Sequence, residues 1–227
     1  MKINDVLEIA SVDQSRAPRS DGVEARARLL HAAVRLFAEK GFSNTSTREL
    51  ATAGGVNIAA ISYYFGDKAG LYRAAYTEPM GDCDIIATID VKFESLEQGL
   101  RMMMSHIAEP LKQGELVQLC TRLHFREMLE PTGLWQEEIN TDIRQGQEAL
   151  SKLLSSHLGL EQPDDDVHRL AHSIVALPVY LFMGRDILLA LHPYLIETPA
   201  AIDAYIERQV GYALAMVESE KVRRSTK

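Results

Sequence analysis

Hydrophobic side chains recur along most of the chain with the spacing of amphipathic helices. In residues 21–40, one apolar stripe occupies positions i, i+3, i+4 and i+7, namely Leu30, Ala33, Val34 and Phe37. Lys40 followed by Gly41 is a common way for a helix to end. Because no alternating strand pattern or hairpin signal appears, the sequence predicts an all-α protein of about nine helices.

A short, capped helix follows the first one. Ser46 and Glu49 fit a capping box, in which the serine hydroxyl caps the first turn and the glutamate reaches back towards it. Gly54 and Gly55 end this helix early, because two consecutive glycines disfavour helix continuation.

A second short helix is predicted directly after this glycine turn. Asn57 is a good N-cap for it, and Val56 with Ile61 would form a hydrophobic staple across the cap. Three apolar side chains are expected to face inward: Ile58, Ile61 and Phe65. Asp67 can cap a fourth helix that begins at Lys68. The whole arrangement predicts a helix-turn-helix unit, although any small helical bundle would show similar spacing.

The rest of the chain also shows helical periodicity. Helices are predicted near residues 68–79, 92–108, 115–129, 134–158, 165–191 and 199–219. The sequence therefore divides into four parts: a flexible arm (1–20), a helix-turn-helix domain of the kind that binds DNA (21–67), a larger helical domain (68–220) and a basic tail (221–227).

Composition places the chain among ordinary folded proteins of the cytoplasm. Its 227 residues are 46% hydrophobic and 25% charged, which argues against general disorder. No apolar run approaches the roughly 18–20 residues that cross a bilayer, and the acidic N-terminus does not fit a signal peptide. Two cysteines, Cys83 and Cys120, are too few for a disulfide framework. We therefore expect a cytoplasmic location and no membrane partner.

Charge is distributed unevenly along the chain. Taken as a single number, the formal net charge of −8 argues against a nucleic-acid partner. Residues 16–48, however, hold seven Lys or Arg against three Asp or Glu, whereas residues 69–220 hold eleven against twenty-four. A basic N-terminal part and an acidic remainder suggest different partners for the two parts, unless the charges are simply scattered.

Residues 23–72 also carry a set of motifs that resembles a known family. In order, they are F-x-x-K-G-F, T-S-T-R-E-L-A, G-V and Y-Y-F-G-D-K-x-x-L-Y. Together they resemble the N-terminal domain of TetR/AcrR-family transcriptional regulators. The segments AAISYYFGDK and REMLEPT (126–132) further resemble the CecR-like subgroup. The resemblance implies a homodimeric repressor that binds a palindromic double-stranded DNA operator and releases it when a small molecule enters the C-terminal domain.

The helix that would enter the major groove is predicted at residues 57–64. Its alanines can touch a thymine methyl group but cannot read hydrogen-bond patterns, so Arg48 in the preceding helix is the predicted base reader. The alternative is a surface arginine paired with a nearby acid. The predicted DNA-contacting residues are Thr47, Arg48, Asn57, Ala59, Ala60, Ser62, Tyr63, Tyr64 and Lys68.

Two features of this predicted interface leave alternatives open. Ser62 stands where the family usually has tyrosine and Tyr64 where it often has histidine, so the phosphate-contacting role could lie with Tyr63 or Tyr64. Arg16 and Arg19 in the arm could follow the minor groove, or the arm could be an extension without a role.

Two apolar stripes late in the chain are candidates for the dimer interface. Family resemblance places that interface on the final two helices, as a four-helix bundle across a two-fold axis. The predicted residues are Leu170, Ile174, Leu177, Leu181, Ile202, Ile206, Val210 and Ala213. The alternative is that both stripes pack inside the monomer.

An effector pocket is expected between helices of the larger domain, with apolar walls and a few polar groups. The candidates are Met102, Met103, His106, Leu119, Leu123, His124, Arg126, Tyr180, Met183 and Arg185. Any of them could instead be ordinary core. Arg126 and Arg185 each need an anionic partner, either a ligand carboxylate or an acid such as Glu127, Glu130 or Asp186.

Nothing in the sequence selects an enzyme. His168 and His172 stand at i, i+4 behind three aspartates (164–166), a spacing that can bind a metal. There is no H-E-x-x-H motif and no cysteine pair to complete a tetrahedral site, so a solvated or dimer-contacting histidine pair is the preferred interpretation. No Walker loop, dinucleotide-binding glycine motif or nucleophile elbow appears, so no cofactor is expected. The competing functions are a DNA-binding activator or structural protein without an inducer, and a helical enzyme.

Overall fold

The computed structural model describes residues 18–79, 93–134, 136 and 143–226, and this part of the chain is all-α. It contains ten α-helices: α1 (Pro18–Asn44), α2 (Thr47–Ala53), α3 (Ala59–Phe65), α4 (Lys68–Thr77), α5 (Leu96–Ala108), α6 (Glu115–Leu129), α7 (Arg144–His157), α8 (Asp165–Met183), α9 (Arg185–Leu191) and α10 (Pro199–Ser225). Short 3₁₀ turns occupy Glu109–Lys112 and Pro193–Leu195. We call α1–α4 the head and α5–α10 the body. Arg16 and Cys83 lie outside the described residues, as does the side chain of Arg19.

The first helix is longer than predicted at both ends. It begins at Pro18, so the last residues of the predicted arm belong to it. Gly41 interrupts it at the predicted place, with φ 80° and ψ 170°, a left-handed φ that favours glycine. A side chain there would also meet the carboxylate of Glu130, because a Cβ on Gly41 would lie 2.8 Å from Glu130 Oε2. Gly41 therefore allows both the kink and a close approach of α1 to the end of α6.

Local capping explains where α2, α3 and α4 begin. The Glu49 amide donates to Ser46 Oγ at 3.1 Å, and the Gly70 amide donates to Asp67 Oδ1 at 2.7 Å, as the sequence predicted. Asn57 Oδ1 accepts from the Ala59 amide at 2.9 Å, and α3 starts at Ala59, two residues later than predicted. The inward orientation predicted for Ile58 is wrong, because its side chain is 46% exposed.

The hydrophobic core of the head includes part of the body. Leu29, Phe37 and Ile61 from α1 and α3 form one cluster with apolar residues of α4, so α4 packs as part of the head. Leu123 from the inner face of α6 joins the same cluster. The head is therefore held directly against α6, which lies between it and the rest of the body.

The body has its own core, formed by α5, α7, α8 and α10. The single helix predicted over 165–191 is instead two helices, α8 and α9, bent by 65° at Gly184. A Cβ at Gly184 would lie only 2.6 Å from the ring of Tyr180, so the glycine lets this ring pack against the bend. No single described helix is long and apolar enough to cross a membrane, although the bent α8–α9 pair passes that test by length and composition when the two are taken together.

The predicted basic tail is not a separate segment. α10 continues to Ser225, and two of its last arginines form ion pairs with the acidic start of α8. Arg224 contacts Asp164 at 2.8 Å, and Arg223 contacts Asp166 at 2.5 Å. These arginines hold the pKa values of both aspartates below their usual range. Arg223 and Arg224 therefore join the end of α10 to the start of α8.

Candidate functional site

The residues predicted to contact DNA lie on one accessible region of the head. None of the nine is fully buried. Six are exposed, namely Thr47, Arg48, Asn57, Ala59, Ser62 and Tyr63, and the other three, Ala60, Tyr64 and Lys68, are partly exposed. All nine belong to α2, α3, the turn between them and the first residue of α4. The structure thus leaves this set accessible to a partner.

Arg48 stands in the first turn of α2 without an acidic partner among the described residues. The neighbouring Glu49 is engaged elsewhere, because its carboxylate pairs with Lys40. The pKa of Glu49 is lowered, mainly by Lys40 and partly by the backbone amide of Ser46. The alternative that Arg48 is paired with a nearby acid is therefore not supported by the described residues. Its guanidinium is accessible to a ligand.

Two cations of the head, Lys68 and Arg26, pack over aromatic rings next to the short helices. Lys68 Nζ lies 4.3 Å from the centre of the Phe42 ring, and partial burial lowers the pKa of Lys68. Arg26 lies over the Phe65 ring at 4.6 Å and donates to both carboxylate oxygens of Glu78, at 2.9 and 2.7 Å. Sequence reasoning missed Arg26, whose partner is 52 residues away.

The two neighbouring tyrosines of α3 differ in exposure. Tyr63 is 82% exposed, and its ring packs edge-on against that of Tyr64 at 4.8 Å. Tyr64 is partly buried, and its hydroxyl approaches the start of α1, since a Cβ on Gly22 would lie 3.5 Å from it. Tyr63 is therefore the more accessible of the two.

A buried carboxylate joins the head to the body. Glu127 of α6 is fully buried, and its Oε2 accepts from the Tyr72 hydroxyl of α4 at 2.6 Å. Its Oε1 accepts from the backbone amides of Thr132 and Gly133, at 2.6 and 3.1 Å, and from the Thr132 hydroxyl at 2.9 Å. Burial, followed by the contact with Glu127, raises the pKa of Tyr72.

Sequence reasoning missed this joint, although Glu127 and Thr132 lie within the REMLEPT segment. That motif was the only available signal, because the Tyr72 partner is 55 residues away. The same segment provides Arg126, which donates to the Glu39 carbonyl at 3.2 Å and contacts Glu130 at 3.3 Å.

Several of the predicted effector residues lie at this junction instead of around a pocket. His124 stacks on Tyr76 with ring centres 4.0 Å apart, and its Nδ1 lies 2.8 Å from the Cys120 carbonyl. Burial lowers the pKa of His124 and raises that of the Cys120 thiol to about 11. Leu119 and Leu123 pack with the core of the head, so they too face the junction.

A cleft of about 320 Å³ lies at the opposite end of α6, where it meets α9 and the start of α10. Its lining residues are Leu111, Lys112, Gln113, Gln118, Arg185, Leu189, Ile196, Glu197, Thr198, Pro199 and Ile202. Of the ten predicted effector residues, only Arg185 lines this cleft. Met103 packs against the body core, Tyr180 and Met183 are exposed, and Met102 and His106 are partly exposed on α5. The structure therefore does not gather the ten around one site.

The stripes predicted for the dimer interface face the chain's own core, so that assignment is wrong in detail. The side chains of Leu170, Ile174, Leu181, Ile202, Ile206, Val210 and Ala213 are buried, and Leu177 packs partly buried against the same cluster. The seven buried side chains are not accessible to a second copy while the body keeps this packing. The opposite faces of α8 and α10 are open, with exposed Ala176, Tyr180, Ala204, Gly211, Tyr212 and Ala215.

The two histidines at metal-binding spacing have separate partners. His168 Nδ1 lies 3.3 Å from Ser151 Oγ, and His172 Nδ1 lies 2.8 Å from Gln147 Nε2. Within residues 18–79, 93–134 and 143–226, no group of three or more His, Cys, Asp and Glu side chains is placed to hold a metal ion.

Comparison with known proteins adds two family models and several relatives. The model of the bacterial regulatory proteins of the tetR family matches residues 29–75, and that of the C-terminal domain of the HTH-type transcriptional dual regulator CecR matches residues 96–216. CecR of Shigella flexneri is 26% identical over 74% of this chain and 80% of its own length.

The probable HTH-type transcriptional regulator YttP of Bacillus subtilis is 31% identical over 52% of this chain, and the match spans only 58% of YttP. Among solved structures, the complex of SmeT with triclosan has the same fold. It superimposes with a TM-score of 0.53 at 18% identity, covering 86% of this chain and 90% of SmeT.

Proposed function

The chain belongs to the TetR family of bacterial regulatory proteins and carries a CecR-type C-terminal domain, and on this premise we propose that it is a homodimeric repressor released from a palindromic operator by a small molecule. It is a DNA-binding transcriptional regulator by family. The sign of regulation, the dimer and the inducer are the proposed parts, and the dimer and the inducer are argued from different regions of the structure.

One observation carries the DNA-reading mechanism: Arg48 is exposed and has no acidic partner among the described residues, and the helix that follows it, α3, begins with the small side chains of Ala59 and Ala60. Arginine pairs in bidentate fashion with guanine O6 and N7, whereas Ala59 and Ala60 can contact thymine methyl groups but form no side-chain hydrogen bonds with bases. Thr47, Ser62 and Tyr63 carry hydroxyl groups suited to backbone phosphates, which position a protein on DNA without reading its sequence. We therefore assign sequence preference chiefly to Arg48.

The proposed dimer uses the exposed faces of α8 and α10. Tyr180 and Tyr212 lie close to Tyr205 there, and together with burial, the larger cause, they raise the pKa of Tyr205. Gly211 has nothing within 4 Å of the position where its Cβ would be, so the α10 backbone is open to close approach at that point. A two-fold contact through this face would present two heads to half-sites about one DNA turn apart.

The proposed release mechanism runs along α6. Its N-terminal end lines the cleft through Gln118, and its C-terminal end holds the head through Glu127, about 14 Å further along the helix axis. A ligand that prefers a displaced α6 would shift the spacing of the two heads through that joint. SmeT, which shares this fold, is known in complex with the small molecule triclosan, which supports a small-molecule effector here.

Selection of bound sites from random DNA tests the proposal, using the wild type, Arg48→Ala and the control Arg122→Ala. Arg122 is an exposed arginine of α6, so its substitution removes the same charge away from the head. We expect a two-fold-symmetric site for the wild type and the control. Arg48→Ala should lose about tenfold or more in preference for that site over random DNA, since a bidentate base contact discriminates by about 1–3 kcal/mol. Unchanged site preference in Arg48→Ala would exclude base reading by this residue.

Activation at some promoters is the second candidate function. CecR of Shigella flexneri is named a dual regulator, and its C-terminal domain model matches most of the body described here. Transcription from the selected operator, measured in vitro with and without protein, separates the two: the proposed repressor lowers transcript yield, whereas an activator raises it.

A further inference from the structure

Arg185 holds an uncompensated positive charge in the wall of the cleft. It is the first residue of α9, and its Nη2 donates to Gln118 Oε1 at 3.2 Å. This is its only hydrogen bond within the described part of the chain, and no described carboxylate lies within ion-pair distance of it. A guanidinium has five N–H donors, so most of its hydrogen-bonding capacity is open towards the cleft.

The neutral partner of Arg185 is itself fixed in place. The side-chain amide of Gln118 donates to the Gln113 carbonyl at 2.8 Å and to the Leu111 carbonyl at 3.3 Å. These two bonds orient Gln118 Oε1 towards Arg185. A partly buried arginine held by one neutral oxygen would gain from a carboxylate, because hydrogen bonds between charged groups are stronger than those to a neutral amide.

The other charges around the cleft limit how much negative charge it can accept. Lys112 is already neutralised, since its Nζ contacts Glu109 at 2.6 Å and Asp203 at 2.9 Å. Glu197 also lines the cleft and repels anions. Arg185 is therefore the one described lining cation without an acidic partner, and the acids around it, Glu197 and the pair on Lys112, favour a ligand with a single negative charge over a phosphate or dicarboxylate.

Besides the charged groups and the polar Gln113, Gln118 and Thr198, the cleft has five apolar lining residues. Leu111, Leu189, Ile196, Pro199 and Ile202 form a hydrocarbon surface next to the arginine. The volume of about 320 Å³ stands at the lower end of ligand sites, which typically measure about 300–1,000 Å³. It suits a short alkyl chain or a single ring.

We propose that this cleft binds a small amphipathic monocarboxylate, with its carboxylate paired to Arg185 and its apolar part against the leucine and isoleucine wall. The inference rests on the proposed function only for its consequence: as effector, the ligand would draw Arg185 away from Gln118 and so release the first turns of α6. Binding itself requires no DNA.

Calorimetric titration of the full chain without DNA tests the site directly. The probes are benzoate and the straight-chain monocarboxylates from butanoate to decanoate, each compared with its uncharged amide. For the wild type, we expect at least one carboxylate to bind about tenfold or more tightly than its amide, and the difference to shrink at high salt.

Three variants locate the binding. Arg185→Gln should lose the preference for carboxylate over amide, whereas Arg122→Gln, which removes an exposed arginine of α6, should retain it. Gln118→Glu provides an internal carboxylate for Arg185, so it should also weaken carboxylate binding even if Arg185→Gln folds poorly. If no carboxylate binds the wild type better than its amide, or if Gln118→Glu and Arg185→Gln both bind like the wild type, the proposal is overturned.

A separate mobility-shift assay with the selected operator keeps this test distinct from that of the proposed function. Carboxylate binding that leaves operator affinity unchanged supports the site and contradicts its role as inducer site. If the protein binds the operator but shows no preference for carboxylates over amides, the proposed carboxylate site is wrong. The proposed DNA-binding function is then still supported.

Discussion

The hydrogen bond between Tyr72 and Glu127 allows a quantitative test of how the head is held. Tyr72→Phe removes one hydroxyl and retains the ring, which packs edge-on against Phe37 and Phe42 with centres 4.9 and 5.1 Å away. The change therefore removes the bond to Glu127 with little loss of packing. Both side chains are buried, so water cannot replace the missing donor.

The expected loss follows from the surroundings of the carboxylate. A hydrogen bond to a charged group contributes about 1.5–3 kcal/mol, and since Glu127 keeps its contacts with Thr132 and Gly133, we expect about 2 kcal/mol. For a chain of this size, a loss of about 1 kcal/mol lowers Tm by about 2–4 °C, so Tyr72→Phe should lower it by about 4–8 °C.

Thermal unfolding followed by circular dichroism at one fixed protein concentration measures the effect. Tyr194→Phe is the matched control, since it removes the same atom from a tyrosine that is 67% exposed. A double-mutant cycle with Glu127→Gln adds a second criterion, because the two losses should not be additive if the residues form one unit. If Tyr72→Phe unfolds at the same temperature as the control, or if the losses simply add, the joint does not stabilise the head as argued.

Two further predictions concern the fit of α4. Gly70→Ala should destabilise the head and abolish operator binding in a mobility-shift assay, because the new Cβ would lie 1.9 Å from the Phe65 carbonyl oxygen. Gly114→Ala is the control and should keep both stability and operator binding, since the space around Gly114 is open. Equal behaviour of the two variants would contradict the steric argument. Since burial lowers the pKa of His124, the unfolded chain takes up its proton first, and stability should fall as pH drops through about 6.5. His124→Phe, which retains an aromatic ring against Tyr76, should flatten that loss in urea unfolding curves across this range, and a slope identical to that of the wild type would contradict it.

Features determined by neighbouring residues were predictable from the sequence. The caps at Ser46 and Asp67 involve amides three residues away, and α6 spans the predicted 115–129 because Gly114 precedes it and Pro131 follows soon after. The break at Gly184 was not predictable in this way. A single glycine in an apolar helical pattern becomes a bend only because the Tyr180 ring packs against it.

Periodicity also cannot show which surface an apolar stripe meets. Leu170 and Ile206 stand at regular helical spacing, as residues of a dimer interface would, yet both are buried in the body core. The proposed interface has a weaker pattern, because its exposed positions include small residues such as Ala176 and Gly211. The Glu127 joint was hidden for another reason: its two sides come from distant parts of the chain, so only the folded structure brings them together.

The two ends of α6 differ in a way that suits a switch. At the head, the buried Glu127 accepts from Tyr72 of α4, Arg126 donates to the Glu39 carbonyl of α1, and Leu123 packs in the core of the head, so a displacement of α6 would move the head before it broke all of these contacts. At the cleft, Arg185 and Gln118 share one charged–neutral hydrogen bond that a carboxylate can replace. A ligand shifts an equilibrium only by the difference between its affinities for the two states. Breaking the weak Arg185–Gln118 hydrogen bond costs little of this difference in binding free energy. The firm attachment of α6 to the head then passes the displacement on to the DNA-binding helices.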